Sequence, residues 1–74
     1  MTFGKRIRHI RFLLGCTQKE LAEAIGCQRD CVSQWENGRT CANFEQIESL
    51  HLRVGIRLEY LIVGRGEPGV LRLP

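Results

Sequence analysis

"TQKELAEAIGCQRDCVSQWENGR", residues 17–39, holds two short amphipathic segments on either side of Gly26. In the first, Thr17 stands three residues before Glu20, the spacing at which each side chain satisfies the other's backbone N–H. Leu21, Ala22 and Ile25 then fall on one helical face. Gly26 follows as a helix stop, since glycine takes the left-handed conformation without a Cβ penalty. In the second segment Cys31, Val32 and Trp35 form one apolar side. Arg29, Asp30, Ser33, Gln34 and Asn37 form the other, and every one of them can hydrogen-bond. A face of that kind is either solvated or turned towards a partner rich in donors and acceptors. Periodicity leaves both open.

Working outward, the same punctuation recurs. Gly15, Gly38, Gly55 and Gly64 each close an apolar-periodic segment. Upstream, Phe3, Ile7, Ile10 and Leu14 make one stripe, with Lys5, Arg8 and His9 elsewhere. Downstream, Asn43 with Gln46 opens a segment that runs through Phe44, Ile47, Leu50 and Val54. A short last segment spans about Leu58 to Val63. Nothing alternates with strand period before the tail, so the predicted fold is all-α: five short helices in one compact domain, residues 1–64, then a C-terminal tail, residues 65–74. Gly66, Pro68 and Gly69 predict that the tail leaves the helical body. It is then either disordered or, through Val70, Leu71 and Leu73, a contact for a partner.

Bulk properties narrow the function. Seventy-four residues make one small domain. Such a chain buries only about 60% of its unfolded surface, too little for a deep catalytic pocket. The whole excess charge of +3 lies in residues 1–40, where a polyanion is expected to dock. Arg53, Arg57, Arg65 and Arg72 are cancelled further on by Glu45, Glu48, Glu59 and Glu67. No enzyme is expected: Cys31 and Ser33 diverge on the helix, and the glycines stand singly. Cys27 and Cys31 share a helical face, yet a structural zinc site needs four ligands. Cys16, Cys41, His9 and His51 would have to be recruited by the fold, so no metal and no cofactor is expected, and most thiols are read as small buried hydrophobes. No apolar run has signal-peptide character or approaches the ~20 residues of a membrane span. A cytoplasmic protein with reduced thiols and no membrane contact is the expectation.

Two short helices joined by three to four residues that include a glycine fit a helix-turn-helix. Thr17-Gln18, Leu21-Ala22, Gly26, Trp35-Glu36 and Gly38 resemble that motif in the phage Cro/repressor (Xre-type) family. The similarity runs on through "RIRHIRFLLG" and "LEYLIVG", over about residues 4–64. It implies a transcriptional regulator of phage or bacterial repressor type, bound to double-stranded DNA as a homodimer on a pseudo-palindromic operator, with helix 28–37 in the major groove. Gln28, Arg29, Asp30, Ser33 and Gln34 would then meet bases, while Thr17, Gln18, Asn37 and Arg39 would hold phosphates. Arg11 and Glu36 match positions that in some members form an ion pair, here tying helix one to the end of helix three, although Arg11 could instead be another phosphate-facing cation on a basic helix. Leu58, Tyr60, Leu61 and Ile62 lie where dimers form, although the same residues could simply close the monomer core.

The alternative is an antitoxin-like or adaptor protein whose main task is binding a partner protein, for which the tail is the natural candidate. Asp30 has two readings. It is favourable at a helix start through the helix dipole, and it could accept from cytosine or orient Arg29. Departures from the family pattern are Ala42 where proline is common, His51 where a small residue is common, and Gln28 and Arg57 in place of serine or threonine caps.

Overall fold

The computed structural model describes residues 2–74. Among these, the chain forms α1 (Phe3–Leu14), α2 (Gln18–Ile25) and α3 (Arg29–Glu36). Helix α4 (Phe44–Ser49) continues without a break as Leu50–Val54 in the wider π pattern, and the short α5 (Glu59–Val63) is π throughout. No described helix is long and apolar enough to cross a membrane.

The apolar stripes converge on one core. Ile7, Ile10, Leu21, Val32, Leu50, Val54, Ile56 and Leu61 are fully buried around Trp35. Phe3 meets the Trp35 indole edge-on, with ring centroids 5.9 Å apart. Helix α1 comes very close to α3, because Gly4 sits against the Trp35 carbonyl, where a methyl group would collide. Arg6 is buried with them and donates its Nε–H to the Leu61 carbonyl at 3.2 Å, tying α1 to α5.

Helix α4 begins as its sequence predicts. Gln46 N–H donates to Asn43 Oδ1 at 2.8 Å, and Asn43 N–H donates to Gln46 Oε1 at 2.9 Å. The core, however, stops short of its first turn: Leu50 and Val54 are buried, Ile47 is half-buried and Phe44 is exposed. His51 is half-buried, with its Nδ1 donating to the Ile56 carbonyl at 2.8 Å.

The expectation that the tail leaves the helical body is corrected. Arg57 N–H donates to the Pro68 carbonyl at 2.7 Å, and Arg72 N–H to the Val54 carbonyl at 2.9 Å. The Arg72 guanidinium also donates to the Leu52 carbonyl at 3.1 Å. The tail thus satisfies carbonyls that the end of α4 would otherwise leave open. Gly55 and Gly69 permit the approach, since a Cβ on either would strike the backbone of the opposing segment. Leu71 packs half-buried against the core.

All four cysteines are free thiols, with Cys16 buried, Cys27 and Cys31 half-buried and Cys41 exposed. Burial pushes Cys16 above its ordinary range, and burial plus the neighbouring Cys31 thiol raises Cys27 to about 11.

Candidate nucleic-acid interface

Three local devices set the second and third helices. Thr17 Oγ1 accepts from Glu20 N–H at 3.1 Å while Glu20 Oε1 accepts from Thr17 N–H at 2.9 Å, so α2 starts at a completed capping box. Gly26 ends it at φ 76°, a left-handed conformation that lets Cys27 N–H reach back to the Ala22 carbonyl at 3.0 Å. Helix α3 then begins at Gln28, which makes no side-chain cap hydrogen bond.

Val32 and Trp35 are buried, and this fixes the rotation of α3 about its axis. The opposite stripe is thereby turned outward. Gln28, Arg29, Asp30 and Gln34 are exposed, and Ser33 is half-buried among them. Arg29 Nη2 lies 3.5 Å from Asp30 Oδ1, a loose pair between two exposed side chains. Thr40 Oγ1 donates to Gln34 Oε1 at 3.5 Å, and Asn37 Nδ2 donates to Ser33 Oγ at 3.5 Å. These long contacts leave donors and acceptors available along the whole stripe.

At the C-terminal end of α3 the arrangement tightens around Glu36, whose carboxylate is only 1% exposed. Arg11 donates to it from Nε at 2.6 Å and from Nη2 at 2.8 Å, a two-pronged pair between α1 and α3. Gln18 Nε2 donates to Glu36 Oε1 at 3.3 Å, bringing the start of α2 to the same point. Burial pushes the Glu36 carboxyl up, but the hydrogen bonds from Arg11, Gln18 and Arg8 outweigh it and hold the group below its ordinary value. The same carboxylate raises the Arg11 guanidinium, against the opposing effect of burial.

The predicted residues therefore fall into separate places. Gln28, Arg29 and Asp30 lead α3, and Ser33 and Gln34 follow on the same outward stripe. Thr17, Gln18, Asn37 and Arg39 gather near the other end, because Glu36 links Gln18 to the turn that carries Asn37 and Arg39. The proposed dimer set divides. Leu61 is fully buried and Tyr60 nearly so, which corrects the expectation for both: they close the monomer core. Leu58 and Ile62 are exposed and join Phe44, Ile47, His51 and Leu52 around a groove of about 260 Å³.

Two residues escaped the sequence reading. Arg6 carries no signal that separates a buried arginine from its exposed neighbours. Arg8 has one, since it lies one turn before Arg11 on α1 and its Nε reaches Glu36 Oε1 at 3.4 Å.

With this geometry in place, similarity to known proteins is specific. The Helix-turn-helix family model matches residues 7–61. The P22 c2 repressor solved in complex with the synthetic operator 9T superposes with a TM-score of 0.81 at 31% identity, covering 88% of this chain and 98% of that one. The solution structure of the P22 c2 repressor DNA-binding domain gives a TM-score of 0.78, also at 31% identity, covering 86% and 84% of the two chains. The HTH-type transcriptional activator BcrR of Enterococcus faecalis is 27% identical over 64 residues, 86% of this chain but only 31% of that protein's length. A match to the family model across most of the chain, with the all-helical fold shared with that repressor, shows that the chain belongs to the Cro/repressor type of the helix-turn-helix family.

Proposed function

We propose that the protein is a sequence-specific DNA-binding transcriptional regulator that places α3 in the major groove of double-stranded DNA. The observation that carries this reading is the outward stripe of α3. Four exposed side chains and one half-buried one, all able to hydrogen-bond, are fixed in rotation by Val32 and Trp35 and braced at one end by Glu36. A rigid helix with that chemistry suits a groove whose base pairs differ in donor and acceptor pattern. The likeness to a repressor solved on its operator supports the same reading.

In this proposal Gln28, Arg29, Asp30, Ser33 and Gln34 read bases. Thr17, Gln18, Asn37 and Arg39 hold the backbone and set register. Residues 1–64 are the DNA-binding domain, and residues 65–74 are a tail docked on it. The protein acts in the cytoplasm as a homodimer, each half-site a helical turn (about 10 bp) from the next. Leu58 and Ile62, with Phe44 and Leu52 beside them, supply the exposed apolar face for that pairing. The adaptor reading loses its best support, because the tail that would reach a partner is bound to its own domain.

Selection from random duplexes, followed by affinity measurements on the winner across a salt series, tests the proposal. Enrichment of a palindromic sequence is the expected result. Equal binding to every duplex, or to none, refutes it.

A further inference from the structure

We infer that Arg8 is a further contact to the DNA backbone, its guanidinium aimed by Glu36; this rests on the DNA-binding reading above. The two arginines on this side of α1 use the same carboxylate in different ways. Arg11 commits all three of its nitrogens to the protein: Nε and Nη2 to Glu36, and Nη1 to the Cys16 carbonyl at 3.2 Å. Its side chain is 20% exposed, and its charge is matched by Glu36.

Arg8 approaches the same Oε1 with Nε alone, at 3.4 Å, and its side chain is 62% exposed. Among the described residues its two terminal nitrogens have no partner. The long Nε contact draws the Arg8 guanidinium towards Glu36 while its outer fork stays open, and such a fork can grip two oxygens of a phosphodiester. Two guanidiniums on one carboxylate leave a surplus positive charge, and the exposed fork of Arg8 carries it.

Position agrees with chemistry. Gln18, at the start of α2, donates one amide hydrogen to the same Oε1 and keeps the other free. Arg8 and Gln18 thus meet on one buried anchor, beside the turn that carries Asn37 and Arg39. A third donor on a carboxylate already gripped by Arg11 adds little stability at such exposure. Its consequence is orientation.

The test is phosphate-ethylation interference and a salt series on the selected duplex, with wild type, Arg8→Ala and Arg8→Gln. The glutamine keeps an amide that can reach Glu36 but has no charge. Both variants are expected to lose interference at one phosphate per half-site. Each should flatten the plot of log affinity against log salt by about 0.9 per protomer, with base preference unchanged. An unchanged interference pattern and slope in both variants overturns the inference while leaving the DNA-binding reading intact. Failure of the wild type to bind any duplex overturns that reading, and the inference with it.

Discussion

Glu36 shows how one carboxylate at the end of a short helix organises three elements. It is nearly unexposed, and Arg11, Gln18 and Arg8 all donate to it. Removing one partner of a buried ion pair costs on the order of 3 kcal/mol, so Glu36→Gln is expected to lower the melting temperature by roughly 12–24 °C in a domain of this size. Its folded-state pKa lies below the ordinary value. The stabilisation is therefore complete above the normal carboxylate range, about pH 4.3, and fades as pH falls through the lowered value. Thermal melts from pH 7 to pH 2 should show the wild type losing its advantage over Glu36→Gln at the acid end. A constant gap would mean that Glu36 does not titrate as described. At the same scale, Gln34 and Arg39 separate the two classes of proposed contact. Gln34→Ala should cost about 1–3 kcal/mol at a single base position and relax the preference there. Arg39→Ala should weaken all sequences alike and flatten the salt slope by about one. Uniform loss from Gln34→Ala would contradict the assignment of the α3 stripe.

The helix proposed to read DNA starts without a side-chain cap. Helices α2 and α4 open on reciprocal capping boxes, whereas Gln28 caps α3 with no side-chain hydrogen bond. Gln28→Ser is expected to raise stability by about 1 kcal/mol, measured by urea titration, because a serine hydroxyl can accept from a free N–H of the first turn. If Gln28 also touches DNA, the same variant should bind the selected duplex less tightly while folding better. The helices themselves were legible because their signals are local. Thr17 with Glu20, Asn43 with Gln46 and the glycine stops each act within four residues, and the apolar stripes place Ile7, Leu21, Val32 and Leu50 in the core. What was not legible depends on contacts distant in the chain. Arg6 is buried because α5 brings the Leu61 carbonyl to it, and Phe44 is exposed because the core ends below the first turn of α4. The stripe on α3 could be read from spacing, but its outward direction is decided by Trp35 against Phe3 and Gly4. The split of the dimer set, with Tyr60 and Leu61 inward and Leu58 and Ile62 outward, likewise needed the packed α5.

For the whole molecule, the tail changes how a 74-residue chain closes its core. Val54 and Leu52 offer carbonyls at the end of α4, and Arg72 takes both through its backbone and side chain. Arg57 donates to Pro68, and Leu71 covers part of the core beside them. Each net hydrogen bond contributes about 0.5–1.5 kcal/mol, and partial burial of a leucine adds about 1 kcal/mol. Truncation after Gly64 is therefore expected to cost about 2–5 kcal/mol, a large share of the stability of a domain this small. The prediction separates two roles for the tail. If it is a structural clasp, the truncated chain melts lower but, well below that temperature, binds the selected duplex with the same base preference and salt slope. If it is instead the arm of an adaptor, truncation leaves the melting temperature unchanged and abolishes capture of a partner. Paired measurements on the truncated chain and on Gly55→Ala decide between them. The added methyl would strike the Val70 carbonyl in a glycine held at φ 84°. The clasp predicts that Gly55→Ala loses stability in the full chain and loses less of it once the tail has been removed, since only the backbone strain then remains.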